Sequence, residues 1–267
     1  MLITVNGHDA YCYNGGKTFS PGLPTAVFIH GAQHDHSVWA LQTRYCAHHG
    51  FGVLAVDLPG HGRSKGEPLA SVEAMADWLL ALLDAAGVRQ AALAGHSMGS
   101  LIALEAAFRA PQRVSKLALV GTAYPMRVSP ALLEASLNEE QKAVDMVNIW
   151  SHSTFMHKPS FPGPGFSVLG MNRRLMQRIS ATQETPVFHT DFSACNAYAN
   201  GENAAKAVTC PTLFLLGKRD MMTPPKAAAG LAAMISHART VQLEDCGHAL
   251  MSEQPDAVLD ALFSFMR

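Results

Sequence analysis

Leu93-Ala94-Gly95-His96-Ser97-Met98-Gly99-Ser100 constrains the fold of this chain more than any other stretch. Residues 91–94 have the short, apolar character of a buried strand, residues 101–108 the Ala- and Leu-rich character of a buried helix, and no linker separates them. A strand that becomes a helix within so few residues crowds the backbone around Ser97, so Gly95, Gly99 and Ser100 have to be small. The hydroxyl is then held clear of the sheet edge. Two roles suit that serine: a nucleophile on a sharp elbow, or a helix N-cap beside glycines that only permit a tight turn. Partners elsewhere in the chain have to decide.

Strands and helices alternate on both sides of this stretch. Leu2–Val5 and His8–Tyr13 read as a hairpin across Asn6-Gly7, a dipeptide suited to a two-residue turn. Residues 25–30 form an apolar strand that ends in His30-Gly31-Ala32-Gln33; a helix over about 38–49 and a strand over 52–57 follow. Pro59, Gly60 and Gly62 make the segment from Leu58 to Ser64 a loop. Ser71 opens a helix whose Val72, Met75, Ala76, Leu79, Leu82 and Leu83 share one face, and 116–120 is a further strand. Much later the alternation resumes with a strand over Thr212–Gly217, a helix over 225–235, a strand over 240–243 and a helix over 253–266. This pattern predicts an α/β fold, a mostly parallel sheet with helices on both faces.

Between 122 and 208 the alternation stops, and about four helices are expected there. Ser129-Pro130 pairs an N-cap with a first-turn proline, Asn138 with Gln141 resembles a capping box, and Asn172 and Thr190 mark two further starts. Phe161-Pro162-Gly163-Pro164-Gly165-Phe166 reads as a loop, either a mobile lid or a helix connector. The expected division is a sheet domain built from 1–121 and 209–267, with an inserted helical cap over 122–208.

In an open parallel sheet, ligand chemistry gathers at the carboxyl ends of the strands. Ser97, Ala32, Asp220 and His248 each follow a predicted strand, so the fold brings them to one edge. A serine hydroxyl is a weak nucleophile near neutral pH; His248 is the candidate to take its proton and return it to the leaving group, and Asp220 to orient the imidazole. Taken singly, Asp220 suits a surface turn paired with Lys218, and His248 a helix start. Both lie after resumed strands and downstream of the elbow, in the order Ser, Asp, His, and together they favour a triad. Charge building on a carbonyl oxygen needs donors fixed in advance: the Met98 N–H at the helix start, and the Ala32 N–H with Gln33 in reserve.

His30-Gly31, the run from Asp57 to Ser64, Gly95-His96-Ser97-Met98-Gly99, Gly217 with Asp220, and Gly247-His248 with Glu253 and Pro255 occur in that order. In these motifs, which span nearly the whole chain, the sequence resembles capped serine hydrolases of the α/β-hydrolase superfamily. The resemblance implies that fold, an acyl-enzyme mechanism and no cofactor. It carries the catalytic roles onto Ser97, Asp220 and His248 and the oxyanion donors onto Ala32 and Met98. Similar dehalogenases and epoxide hydrolases use an aspartate where this chain has Ser97, which disfavours those activities. The cap is where such families diverge.

Composition narrows the partners. Of 267 residues only 15% are charged and the formal net charge is -1, which lacks the basic footprint that phosphate binding requires. No apolar run reaches the ~18 residues of a membrane span, and the N-terminus does not read as a secretory signal. Five scattered cysteines without C-x-x-C spacing fit a reducing cytoplasm; Cys246, close to His248, reads as a packing residue rather than a thiol nucleophile. Thirteen histidines invite a metal, with His34 and His36 two apart and His48 beside His49, but no carboxylate or cysteine cluster joins them at ligand spacing, so none is expected. His30 and His61 read as structural donors, and His96 is expected to turn its side chain away from Ser97.

Met126, Met146, Met156, Met171 and Met176, with Trp150, Phe155, Phe161 and Phe166, either line an acyl pocket or fill the cap's own core. Arg173 and Arg174 either hold a substrate carboxylate or face solvent. The leading expectation is hydrolysis of a small or medium, largely apolar carboxylic ester through a Ser97 acyl-enzyme. A C–C bond hydrolase or lactonase with the same triad is the nearest competitor, and a ligand-binding protein with little turnover is a third. No oligomeric state is implied.

Overall fold

The structure is a computed structural model that describes residues 1–153, 168–181 and 185–267. Among these residues eight strands form one sheet: β1 (Leu2–Val5), β2 (His8–Tyr13), β3 (Thr25–Ile29), β4 (Gly52–Val56), β5 (Ala91–His96), β6 (Val114–Val120), β7 (Thr212–Gly217) and β8 (Ala238–Leu243). Their order is β1-β2-β4-β3-β5-β6-β7-β8. β1 and β2 pair antiparallel across Asn6 and Gly7, which both adopt positive φ as a tight hairpin requires. β2 meets β4 antiparallel, and from β4 to β8 every pairing is parallel. β3, β4, β5 and β7 are buried along their whole length, which is why they read as unbroken apolar runs.

Side chains alternate across this sheet and build two cores. Val27, Ile29, Leu54, Val56, Leu93, Leu117 and Leu119 pack on one face against α2 (Val72–Ala85) and α3 (Met98–Arg109). Ala26, Phe28, Val53, Ala55, Ala94, Ala118 and Val120 face the other way, against Trp39, α1 (Ala40–His48) and α11 (Pro255–Met266). The two remaining helices of the C-terminal part are short: α9 (Ala229–Met234) follows a 3₁₀ turn, and α10 (Leu250–Glu253) stops before Pro255, whose missing N–H suits the first position of a new helix.

Among the described residues five helices lie between β6 and β7: α4 (Pro130–Asn138), α5 (Glu140–Ser151), α6 (Val168–Ser180), α7 (Val187–Ala197) and α8 (Gly201–Ala207). Leu132, Ala135, Val144, Val147, Met176, Phe188 and Phe192 form a third core among them. Ala204, Ala205 and Tyr198 join the sheet-side core instead, and Tyr198 Oη and Asn200 Nδ2 donate to the buried Glu105 of α3 at 2.8 and 2.9 Å.

Ser129 caps α4 as the sequence predicts, its Oγ accepting the Leu132 N–H. The other three expected starts are displaced. α4 runs through Asn138 and α5 begins at Glu140 without a side-chain cap. Asn172 lies inside α6, where its side chain bonds to His34 and Asn148 rather than to a helix N-terminus. Thr190 lies inside α7 and returns its hydroxyl to the Pro186 carbonyl four residues back. The sequence-predicted loop at 161–166 falls outside the described residues.

Candidate active site

The turn between β5 and α3 is as tight as its glycines imply. A Cβ on Gly95 would stand 2.0 Å from the Gly99 carbonyl oxygen, and one on Gly99 would stand 2.5 Å from the carbonyl oxygens of Ile29 and His30. Ser97 itself adopts φ 53°, ψ −119°, a conformation that side-chain-bearing residues avoid. The turn is held from both sides. The Ser97 N–H donates to Val120 O at 2.9 Å, and the Ser100 N–H donates to Ser97 O at 2.8 Å. Ser100 Oγ lies 2.5 Å from Ser97 O and 2.7 Å from Thr122 Oγ1. The Ser97 hydroxyl makes no capping bond to α3, which removes the N-cap reading of this serine.

The hydroxyl opens on a cavity of about 160 Å³. Met126, Leu132, Trp150, Phe192, Cys195 and Met222 supply most of its apolar wall, and Thr223 and Arg127 its polar part. Of the apolar residues weighed from the sequence, Met126 and Trp150 line this cavity, whereas Met176 fills the core between the helices and Met171 is exposed. Met156, Phe155, Phe161 and Phe166 lie outside the described residues. Arg173 pairs with Asp145 at 2.8 Å and Arg174 is exposed, so neither faces the cavity.

Asp220 and His248 come together beside it. His248 Nδ1 lies 2.7 Å from Asp220 Oδ2, with both side chains buried. Asp220 Oδ1 accepts the N–H groups of Met222 and Thr223 at 2.8 and 2.7 Å. Burial alone would raise this carboxyl; the positive charge and hydrogen bond of His248, with the Thr223 bonds, outweigh it and hold Asp220 below the ordinary carboxylate range. Asp220 is therefore a turn residue with its carboxylate turned inward, not a surface partner of Lys218, which instead pairs with Glu244.

Two further groups position the pair: Thr223, which was not singled out from the sequence, and Glu253, which entered there only as part of the motif after His248. Thr223 Oγ1 stands 2.7 Å from Asp220 Oδ2, 3.0 Å from His248 Nδ1 and 2.9 Å from Gly121 O. The only sequence signal for it is its place three residues after the aspartate. Glu253 accepts the Gly247 N–H and the Ser153 N–H, both at 3.0 Å, tying the His248 loop to the end of α5.

At the end of β3, His30 Nδ1 donates to Gly31 O at 2.8 Å while its Nε2 accepts the Leu58 N–H at 3.1 Å, so the ring is neutral and structural. Burial and the neighbouring His61 push its pKa well down. Ala32, half-buried, and Met98, at the N-terminus of α3, offer no N–H to any acceptor among the described residues. Gln33, the reserve donor, is excluded: its N–H is already given to Asp191 Oδ2 at 2.8 Å.

The histidines correct one expectation. His36 does meet carboxylates, Asp35 and Asp57, with the three ligand atoms within 4.8 Å of one another; Asp57 is too distant in sequence for spacing to show it. All four oxygens are engaged by protein donors: Ser37 and Arg178 on Asp35, His36 and the Arg63 N–H on Asp57. His34 bonds to Ala32 O and Asn172 through its two ring nitrogens. Cys246 is fully buried, and burial with the nearby Glu253 and Asp220 pushes its thiol up, so it packs rather than reacts. Among the described residues no helix is long and apolar enough to cross a membrane.

Comparison with known proteins agrees with this architecture. A family model described as the alpha/beta hydrolase fold matches residues 24–255. The pimeloyl-(acyl-carrier protein) methyl ester esterase of Vibrio parahaemolyticus is 28% identical over 255 residues, covering 90% of this chain and 92% of its own. The (E)-2-((N-methylformamido)methylene)succinate hydrolase of Acinetobacter baylyi is 23% identical, covering 98% and 95%. The crystal structure of the enol-lactonase from Burkholderia xenovorans superposes with a TM-score of 0.85 at 24% identity, covering 100% of this chain and 99% of that one, a likeness of fold.

Proposed function

The chain belongs to the alpha/beta hydrolase fold family, and from that premise we propose that it cleaves a carboxylic ester through an acyl-enzyme on Ser97. One observation carries this reading: a serine on a strained turn, its hydroxyl not spent on capping, shares a cavity with Thr223, which touches the buried His248–Asp220 pair. The esterase of Vibrio parahaemolyticus, 28% identical along nearly the whole chain, is a relative whose named reaction is of this kind.

Ser97 Oγ attacks the carbonyl carbon and His248 Nε2 takes its proton. Asp220, on Nδ1, fixes the tautomer that leaves Nε2 free to accept and stabilises the imidazolium that forms. The carbonyl oxygen becomes an oxyanion, met by the N–H groups of Ala32 and Met98, the latter at the positive end of α3. Collapse expels the alcohol with the proton from His248, and water then releases the acid by the same steps in reverse.

Residues 122–208 act as the cap in this reading, and 1–121 with 209–267 as the catalytic body. Leu132, Trp150 and Phe192 come from the cap, so substrate choice resides there. A 160 Å³ cavity admits a group of about benzene size, since a buried cavity of about 150 Å³ is known to accept benzene.

Labelling by a fluorophosphonate tests the nucleophile. Wild type is expected to label and Ser97→Ala not; equal labelling would remove Ser97 from the mechanism. Nitrophenyl esters of graded length, assayed beside lactones and vinylogous diketones, test the bond. Faster turnover of either alternative than of every ester would overturn the ester assignment.

A further inference from the structure

Asp191 belongs to α7, yet its carboxylate is wholly buried against the loops that follow β3 and β4. Oδ2 accepts the Gln33 N–H at 2.8 Å and lies 2.9 Å from His61 Nε2, while Oδ1 has no hydrogen-bond partner among the described residues. A carboxylate buried this deeply, against loops of the sheet domain, is expensive, so its placement calls for a reason beyond packing.

The carboxylate and its neighbours hold a single peptide group. The peptide between Ala32 and Gln33 is gripped at both ends: Asp191 accepts its N–H, and His34 Nδ1 donates to its carbonyl at 2.7 Å. Gln33 sits in the left-handed region, φ 58°, which a residue with a side chain adopts only under constraint. Its side-chain Nε2 donates to Met176 O at 3.0 Å and Ser180 Oγ at 2.5 Å, and His34 Nε2 bonds to Asn172, so α6 and α7 both fasten this loop.

His61 supplies the counter-charge. Its Nδ1 lies 3.0 Å from Pro59 O and its Nε2 2.9 Å from the Asp191 carboxylate, an arrangement that favours the imidazolium, with hydrogen on both nitrogens. Burial disfavours that imidazolium, but the charge and hydrogen bond of Asp191 prevail and its pKa is raised. The other titratable groups facing it are Asp57 beyond β4, and His30 at 4.8 Å between ring centroids, which is neutral by its own bonding.

We propose that Asp191 is a positioning residue for the oxyanion loop: braced by His61, it fixes the Ala32–Gln33 peptide, and with it the direction of the Ala32 N–H toward Ser97. The proposal rests on the reading of Ala32 as an oxyanion donor. It makes the helical segment a part of the catalytic apparatus, because the brace reaches the loop from α7.

The test compares Asp191→Ala and Asp191→Asn with wild type, on an ester that wild type turns over, as full pH profiles of kcat and KM. Both variants are expected to lower kcat by about tenfold or more with KM within twofold, as a misplaced oxyanion donor does. Asp191→Asn, which keeps volume and an acceptor for Gln33, is also expected to move the alkaline fall in kcat to lower pH, because His61 loses its counter-charge. Unchanged kcat and an unchanged alkaline limb in the asparagine variant would overturn the proposal; so would failure of both variants to fold, which would make Asp191 a stability residue. Ser97→Ala separates the two levels. If it retains hydrolysis, the underlying mechanism fails; if it is inactive while both Asp191 variants match wild type, only the positioning role fails.

Discussion

His96 Nε2 donates to the carbonyl oxygen of His248 at 2.8 Å, so the residue before the elbow serine carries the backbone of the proposed base. The two imidazoles lie 4.7 Å apart between centroids, and a Cβ on Gly31 would stand 3.0 Å from His96 Nδ1, so the ring packs closely over Gly31. His96→Phe keeps the ring and removes the donor. It is expected to lower kcat by about tenfold through displacement of His248. Leaving a buried carbonyl unpaired should also cost about 1–3 kcal/mol of stability. Steady-state kinetics with urea unfolding of the same preparation check both.

Asp220→Asn should keep the fold and lose the reaction. The amide cannot hold His248 in the tautomer that frees Nε2, a change of the kind that costs about 10⁴ in kcat in other serine hydrolases. Oδ1 still accepts the Met222 and Thr223 N–H groups, so the turn survives. The expected result is a loss of about a thousandfold or more in kcat, with unfolding temperature nearly unchanged. Activity within tenfold of wild type would remove Asp220 from the mechanism.

The two features that tie the chain together were legible for different reasons. Gly95 and Gly99 announce the elbow because nothing larger fits there, and a steric demand of that kind is written in residue type. The parallel strands were readable because both of their faces are covered, which leaves unbroken apolar runs. The contacts of Asp191 with Gln33, of Thr223 with His248 and of Asp57 with His36 were not readable, since each joins residues far apart in the chain and has no local pattern. The helix starts in the inserted segment failed for a related reason: Asn172 and Thr190 have the right chemistry for caps, but their side chains are claimed by His34 and Asn148, and by the Pro186 carbonyl. Capping chemistry in a sequence shows what a residue can do, and tertiary contacts decide what it does.

The glycines predict opposite outcomes for the same substitution. Gly99→Ala would drive a methyl to 2.5 Å from two backbone carbonyl oxygens of β3 and His30, neither of which can rotate away. About 3 kcal/mol or more of stability should be lost, with activity. Gly230→Ala, in α9 with nothing within 4 Å of the new methyl, should gain about 0.5 kcal/mol by lowering the entropy of the unfolded chain. Urea midpoints measure both.

Acid should destabilise the protein before its carboxylates titrate. His30 and His96 are wholly buried and neutral, their pKa values pushed well below 6.5 first by burial and then by neighbouring histidines. Unfolded, both take up a proton near pH 6.5, so unfolding binds protons as pH falls below that value. Their stabilisation is present above pH 6.5 and declines beneath it, by at most about 1.4 kcal/mol per pH unit for each group. His61 has the opposite sign: its raised pKa gives stability that is complete below about 6.5 and fades as pH rises through the folded value. Unfolding free energy is therefore expected to fall from pH 7 to pH 5.5. A flat profile over that range would show that the two histidines are protonated in the folded protein.

Arg127 and Leu132 face the same cavity and should control different properties of the substrate. Arg127 is exposed at its rim and forms no ion pair among the described residues, so its charge is available to an anionic group on a ligand. An exposed pair is worth about 1 kcal/mol at most, which sets the scale at roughly fivefold. Arg127→Ala is expected to lower kcat/KM for a half-ester ending in carboxylate by about that factor, and to leave a neutral ester of equal length within twofold. Raising ionic strength on wild type should reproduce the loss, because screening acts on exposed charges. Leu132, buried in the wall, acts through volume: Leu132→Ala should shift the optimum toward longer or bulkier acyl groups without favouring charge. Measuring both variants on one panel, charged and neutral at each length, separates the effects. Equal losses on charged and neutral esters in Arg127→Ala would mean that the guanidinium shapes the cavity rather than reading charge.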